Sequence, residues 1–121
     1  MKDEIEVTPS GGKQTKLYSS ITEIPPSALL EVGKVMLEGR DKYGHHNWHK
    51  ISIMSEINHA VIHALEFIKT VDSGEFDENK CGADAMREIS HFAARALMAL
   101  DQYIRQPTYL HEVEKSNEQD S

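Results

Sequence analysis

The residues best suited to chemistry are histidines and carboxylates in two short stretches: Glu56, His59, His63 and Glu66, then Asp84, Glu88 and His91, with Arg95 beyond. At ~100° per residue on a helix, the first four fall within a stripe of roughly 80°, and Asp84, Glu88, His91 and Arg95 within roughly 60°. Each stripe lies opposite an apolar one, Ile57, Val61, Ala64 and Ile68 in the first case and Ile89, Phe92, Ala93, Ala96, Leu97 and Leu100 in the second. Two i, i+3 pairs stand out, His63 with Glu66 and Glu88 with His91, because that spacing aims two donors the same way from one helix. Facing helices that each carry such a pair build metal sites in bundles. Carboxylate oxygens suit Mg²⁺ or Mn²⁺, and imidazole shifts the preference toward Mn²⁺ or another transition ion. A solvated polar face is the plain alternative for either stripe alone. The richness in His and carboxylate, repeated on two successive helices, favours a site.

Three helices must position these groups. The first begins at Pro25-Pro26-Ser27, where proline suits a first turn, carries Leu29, Val32, Val35 and Met36 at helical spacing, and stops between Gly39 and Gly44. The second starts after Ser52 or Ser55, both good N-caps, and ends at Asp72-Ser73-Gly74. The third runs from about Ala83 to Ile104, and its Ala93-Ala94-Arg95-Ala96 run keeps it thin enough for close helix approach. Residues 1–23 form a polar, turn-rich region broken by Thr8-Pro9-Ser10-Gly11-Gly12, residues 24–105 the helical catalytic domain, and 106–121 a tail expected to fray. The fold class is therefore all-α, a bundle of three main helices. Its third helix is apolar over more surface than three helices cover, so a homo-oligomer, dimer or tetramer, is expected to complete it.

Composition narrows the classes. The chain has 121 residues and a formal net charge of −7, from 13 Lys and Arg against 20 Asp and Glu, with no basic cluster of the kind that grips nucleic acid. No apolar run is long enough to span a membrane, and no signal peptide is visible at the start, so a cytoplasmic location is expected. The single cysteine, Cys81, rules out an intrachain disulfide and a Cys-based zinc knuckle. Gly12-Lys13 is followed by Gln14 rather than Ser or Thr, which disfavours a P-loop, and His111-Glu112 lacks the second His of a zinc-protease motif. There is no His-Asp dipeptide, as an HD-type phosphohydrolase would need.

Glu88-Ile89-Ser90-His91, followed by Phe92-Ala93-Ala94-Arg95-Ala96-Leu97, resembles the ExxD helix of the MazG-like all-α nucleotide pyrophosphohydrolases, with His63-x-x-Glu66 in the place of the preceding ExxE. His63 stands where that pattern has Glu, and His91 where it has Asp. A resemblance over residues 8–101 is to the phage-type dATP/dGTP diphosphohydrolases, which include the MazZ proteins. It rests on Thr8-Pro9-Ser10-Gly11-Gly12-Lys13-Gln14-Thr15-Lys16, Ile24-Pro25-Pro26, Lys42-Tyr43-Gly44-His45-His46-Asn47-Trp48, Gly74-Glu75-Phe76-Asp77 and Ser90-His91.

That resemblance implies metal-dependent hydrolysis of a purine (d)NTP, whether dGTP, GTP or dATP, to the monophosphate and pyrophosphate, shaping a phage nucleotide pool. It implies Mg²⁺ or Mn²⁺ held by His63, Glu66, Glu88 and His91, with Glu66 or Glu88 free to orient the attacking water. Lys13, Lys16 and Lys42 are candidates to neutralise phosphate, and Arg95 to do the same or to pair with Glu88 or His91. Trp48 or Tyr43 would stack on the base and Asn47 read its edge. Each has a plainer role: loop charge for Lys13 and Lys16, core anchor for Trp48, solvated turn residues for His45, His46 and His49. For Glu31, Lys34 and Glu38 the plain role is an i, i+3 ion pair, although Glu31 or Glu38 can face the cleft, and for Asp84 it is favourable charge at a helix start. The rival class is a helical regulatory protein that binds nucleotide without turning it over.

Overall fold

The computed structural model describes residues 4–73 and 82–106. The segments Gly74-Glu75-Phe76-Asp77, Cys81 and the tail from Pro107, including His111, lie outside the described residues. The described chain is all-α apart from one small hairpin, with helices α1 (Pro26–Tyr43), α2 (Ile53–Asp72) and α3 (Ala83–Ile104).

Local chemistry sets the ends. Pro26 opens α1, and Gly44 closes it with φ of 96°, a backbone that glycine adopts without strain, while its N–H donates to the Arg40 carbonyl at 2.9 Å. Ser52, rather than Ser55, caps α2: its hydroxyl accepts from the Ser55 amide at 3.1 Å. Gly82 precedes α3 without a side-chain cap, and Asp84 supplies the negative charge that suits the first turn.

The N-terminal region expected to be loop contains a hairpin. Strands β1 (Ile5–Val7) and β2 (Lys13–Thr15) pair antiparallel with Glu6 opposite Gln14. Thr8-Pro9-Ser10-Gly11-Gly12 is its turn. Gly11 takes φ of 89°, and the Thr8 hydroxyl accepts from the Gly12 amide at 2.9 Å. The residues expected to break regular structure thus turn the chain back on itself between two short strands.

The main packing is α2 against α3, with α1 against α3 beside it. Small side chains make the close approach possible: Ala60 and Ala94 are buried, Ala94 completely. Ser90 and Thr70 are buried too, and each spends its hydroxyl on its own helix, Ser90 donating to the Met86 carbonyl at 2.7 Å and Thr70 to that of Phe67 at 2.6 Å. The large aliphatics are elsewhere. Val61, Leu65 and Ile68 on α2, and Leu97 and Leu100 on α3, each keep about half of their surface open, between 48% and 55%. Of the ionisable stripes, Glu56, His63, Glu88, His91 and Arg95 are covered, while the apolar stripes turn out.

Candidate active site

A cleft of about 650 Å³ opens between the end of α1, the turn after it, and the inward faces of α2 and α3. That volume is in the range of small-molecule sites. Ordered along α3, its groups change from ionisable to aromatic.

At one end, His63 donates from Nδ1 to Glu88 Oε2 at 2.8 Å, both side chains mostly covered. In a neutral ring this bond puts the proton on Nδ1 and leaves Nε2 as acceptor or ligand. The His91 ring lies 5.0 Å from that of His63, centroid to centroid. From α1, Glu38 brings Oε2 to 3.8 Å from His91 Nε2. Burial lowers the His91 pKa, and Arg87 and then His63 push the same way against the opposing pull of Glu38 and Glu88. His91 is thereby kept in the neutral, donor-capable form at neutral pH. Its neighbours come from α1 (Glu38), α2 (His63) and α3 (Arg87 and Glu88), so only the packed bundle assembles the group.

One turn further along α3, Arg95 donates from Nη1 to Glu56 Oε2 at 3.1 Å, and Glu56 is completely buried. Arg95 was open to pairing with Glu88 or His91; it chooses Glu56, which shares the α2 stripe but carried no assigned role. Glu56 was legible as a stripe member only, since nothing in its spacing marks it as the buried one.

At the other end, Trp48 is clasped to the last turns of α3. Its indole N–H donates to Asp101 Oδ2 at 3.1 Å, and Gln102 donates to the carbonyls of Trp48 at 2.6 Å and Ile51 at 2.8 Å. Arg105 also donates to Asp101 Oδ2, at 2.8 Å. These bonds, that from Arg105 first and then that from Trp48, hold the Asp101 pKa below the ordinary carboxylate value. The rings of His46 and His49 each meet Trp48 edge-on at 4.8 Å, so these histidines pack on the indole. Trp48 is therefore an anchor, and it still lines the cleft together with Lys42, Tyr43 and Asn47.

Not every candidate arrives. Glu66 pairs with Lys69 on its own helix at 3.3 Å, is half exposed, and is not part of the cleft wall. Its i, i+3 spacing from His63 places it on the margin of the stripe, where the wheel includes it and the bundle does not. Lys13 stands on β2 and Lys16 lies 3.9 Å from Glu4; neither lines the cleft. Glu31 takes Lys34 in the expected i, i+3 pair at 2.7 Å, and Asp84 remains an exposed first-turn charge. Besides Glu56, the cleft wall holds Glu38, expected first in an ion pair on α1 and only second to face the cleft, and Arg87, an i−4 neighbour of His91 that stripe geometry could have flagged.

The chain matches a family model described as dATP/dGTP diphosphohydrolase, N-terminal, over residues 8–111, a span that contains all three helices. No curated protein and no solved structure matches it.

Proposed function

The chain belongs to the dATP/dGTP diphosphohydrolase N-terminal family, and on that footing we propose that it hydrolyses a purine deoxynucleoside triphosphate to the monophosphate and pyrophosphate. Membership supports nucleotide hydrolysis. The observation that carries the finer reading is the polarity of the cleft, with Glu38, His63 and His91 on its wall at one end, Glu88 bonded to His63 beside them, and Trp48 and Asn47 at the other end. A triphosphate laid along it has its phosphates by the ionisable group and its base by the indole. Lys42 and Arg87 on the wall supply positive charge for the phosphate oxygens.

The donor set at the phosphate end fits a divalent ion in kind: two imidazoles and two carboxylates, the mixture suited to Mn²⁺ or Mg²⁺. In the structure they are paired two by two, and among the described residues no three His, Asp or Glu side chains form a ready-made metal site. His63, Glu88 and His91 would hold the ion, with Glu38 replacing Glu66 as the fourth donor. When bound, the ion would neutralise the phosphate oxygens of the substrate and of the leaving pyrophosphate.

The chain's own residues then handle water. In hydrolysis a water oxygen attacks the α-phosphorus, and the bond from that phosphorus to the bridging oxygen breaks. Glu88 is the acceptor for the water proton; its Oε1 is left over by the bond from His63 to Oε2. The reaction needs no covalent nucleophile, only positioning and charge neutralisation.

Outside the cleft, we propose that the open aliphatic faces of α2 and α3 pack on a second copy of the chain. Covering the exposed remainder of each such side chain contributes on the order of 1 kcal/mol. Among the described residues no helix is long and apolar enough to cross a membrane, so a bilayer-spanning role does not account for these faces.

The test is a panel of the eight common NTPs and dNTPs, assayed for monophosphate and pyrophosphate with Mg²⁺ and then Mn²⁺. Pyrophosphate release from dATP or dGTP is the expected result. Release from no purine substrate with either metal, while the nucleotide still binds, would replace the enzyme with a nucleotide-binding regulatory protein.

A further inference from the structure

Glu56 is the largest fully buried side chain among the described residues, and it lines the cleft. Hydrolysis as outlined above does not use it. Its Oε2 is held by Arg95 at 3.1 Å, while its Oε1 is buried with no hydrogen-bond partner among the described residues. The other buried polar side chains, Ser90 and Thr70, satisfy themselves on their own helices. An unbonded carboxylate oxygen cut off from water is costly, so the position calls for a donor.

The surroundings select the kind of donor. A divalent cation is disfavoured, because the Arg95 guanidinium already occupies the same carboxylate and repels a second positive charge. A phosphate is disfavoured by the carboxylate itself. A neutral N–H or O–H remains. Glu56 lies two helical turns from His63 along α2, roughly 10 Å. On α3 its partner Arg95 lies between His91 and Met98, and Met98 lines the cleft with Trp48. This is beyond the phosphate end, on the side of the nucleoside.

We infer that Glu56 is a specificity-determining residue that accepts a hydrogen bond from an exocyclic amino group of the purine base through Oε1, with Arg95 fixing the carboxylate by its other oxygen. Both dATP and dGTP carry such a group. The inference rests on the proposed purine deoxynucleotide substrate but does not require that it be hydrolysed. Arg95 becomes a positioning residue for Glu56, in place of a phosphate ligand.

Binding of non-hydrolysable α,β-methylene triphosphates, measured by calorimetry with Mg²⁺, separates the two ideas. dGTP is compared with dITP, which lacks the 2-amino group, dATP with purine-deoxyriboside triphosphate, which lacks the 6-amino group, and each with its 3′-deoxy counterpart. Loss of a bond to a charged acceptor weakens binding about 10- to 100-fold, and at least one amino deletion is expected to do so in the wild-type chain. In Glu56→Gln the amide oxygen stays on Arg95 and the NH₂ meets the ligand, so that discrimination should shrink to within about twofold. The inference is overturned if the wild type binds all deaminated analogues within about twofold, if only the 3′-deoxy series loses affinity, or if Glu56→Gln keeps the full discrimination. Should Glu56→Gln not fold, the wild-type series decides alone. A chain that discriminates in binding yet releases no pyrophosphate from true substrates would sink the hydrolytic reading and leave this one standing.

Discussion

The inner and outer faces of the α2–α3 pair carry opposite chemistry, and in the opposite sense to an ordinary bundle. Between the helices lie Glu56, His63, Glu88, His91 and Arg95, set among alanines and a serine. On the outside lie Leu65, Ile68, Leu97 and Leu100, each about half open. A monomer that hid its aliphatics between α2 and α3 would have no room for a polar cleft. Turning the ionisable stripes inward creates the site and leaves the hydrophobic stripes for another surface to cover. The two features are coupled: the same facing of α2 and α3 that lines the cleft with ionisable groups leaves the aliphatic stripes exposed.

The largest expected effect is on the inner face. Glu88→Gln should lower kcat by about 100-fold or more, the usual scale of a lost proton acceptor, with the far-ultraviolet circular dichroism unchanged. Wild-type turnover in that variant would remove Glu88 from the chemistry. On the outer face, Leu97→Asp with Leu100→Asp should abolish self-association, seen by light scattering as a fall to the monomer mass. A wild-type chain that is already monomeric at high concentration would break the coupling of the two faces.

A smaller effect is expected at the Trp48 clasp. Asp101→Asn should weaken nucleotide binding about fivefold, the scale of one hydrogen bond, and red-shift the fluorescence of the single tryptophan. The pH dependence has a definite sign. The Asp101 pKa is lowered in the fold, so its contribution is complete above the ordinary carboxylate value of 3.8 and is lost as pH falls through the lower folded value. Tryptophan emission should hold steady on acidification to about that value and change only below it. A transition near pH 6 confined to this signal would assign the clasp to the neighbouring histidines instead.

The smallest effect is predicted for Glu66→Gln, less than about twofold in kcat/KM, because a half-exposed ion pair with Lys69 is worth little. A loss as large as that of Glu88→Gln would restore Glu66 to the inner face.

Much of this was legible in the sequence, for local reasons. Helix bounds follow from proline, serine and glycine chemistry, which acts over a few residues. The α3 limits, the close approach at Ala94 and the Glu31–Lys34 pair were all readable that way. The hairpin was missed because three-residue strands give too short an alternation to separate from loop. Glu38 was hard to choose because its partner His91 is on another helix.

By itself, then, the sequence determined which residues form helices and which side chains share a stripe on each, because helical periodicity is a property of the chain alone. It also carried the motifs by which the family is recognised. Only the tertiary structure decided which way the stripes face, that His63 meets Glu88, that Arg95 takes Glu56, and that Trp48 is held by Asp101. Those outcomes depend on the rotation and offset of one helix against another. Packing of small residues sets both, and no spacing within a single helix encodes them.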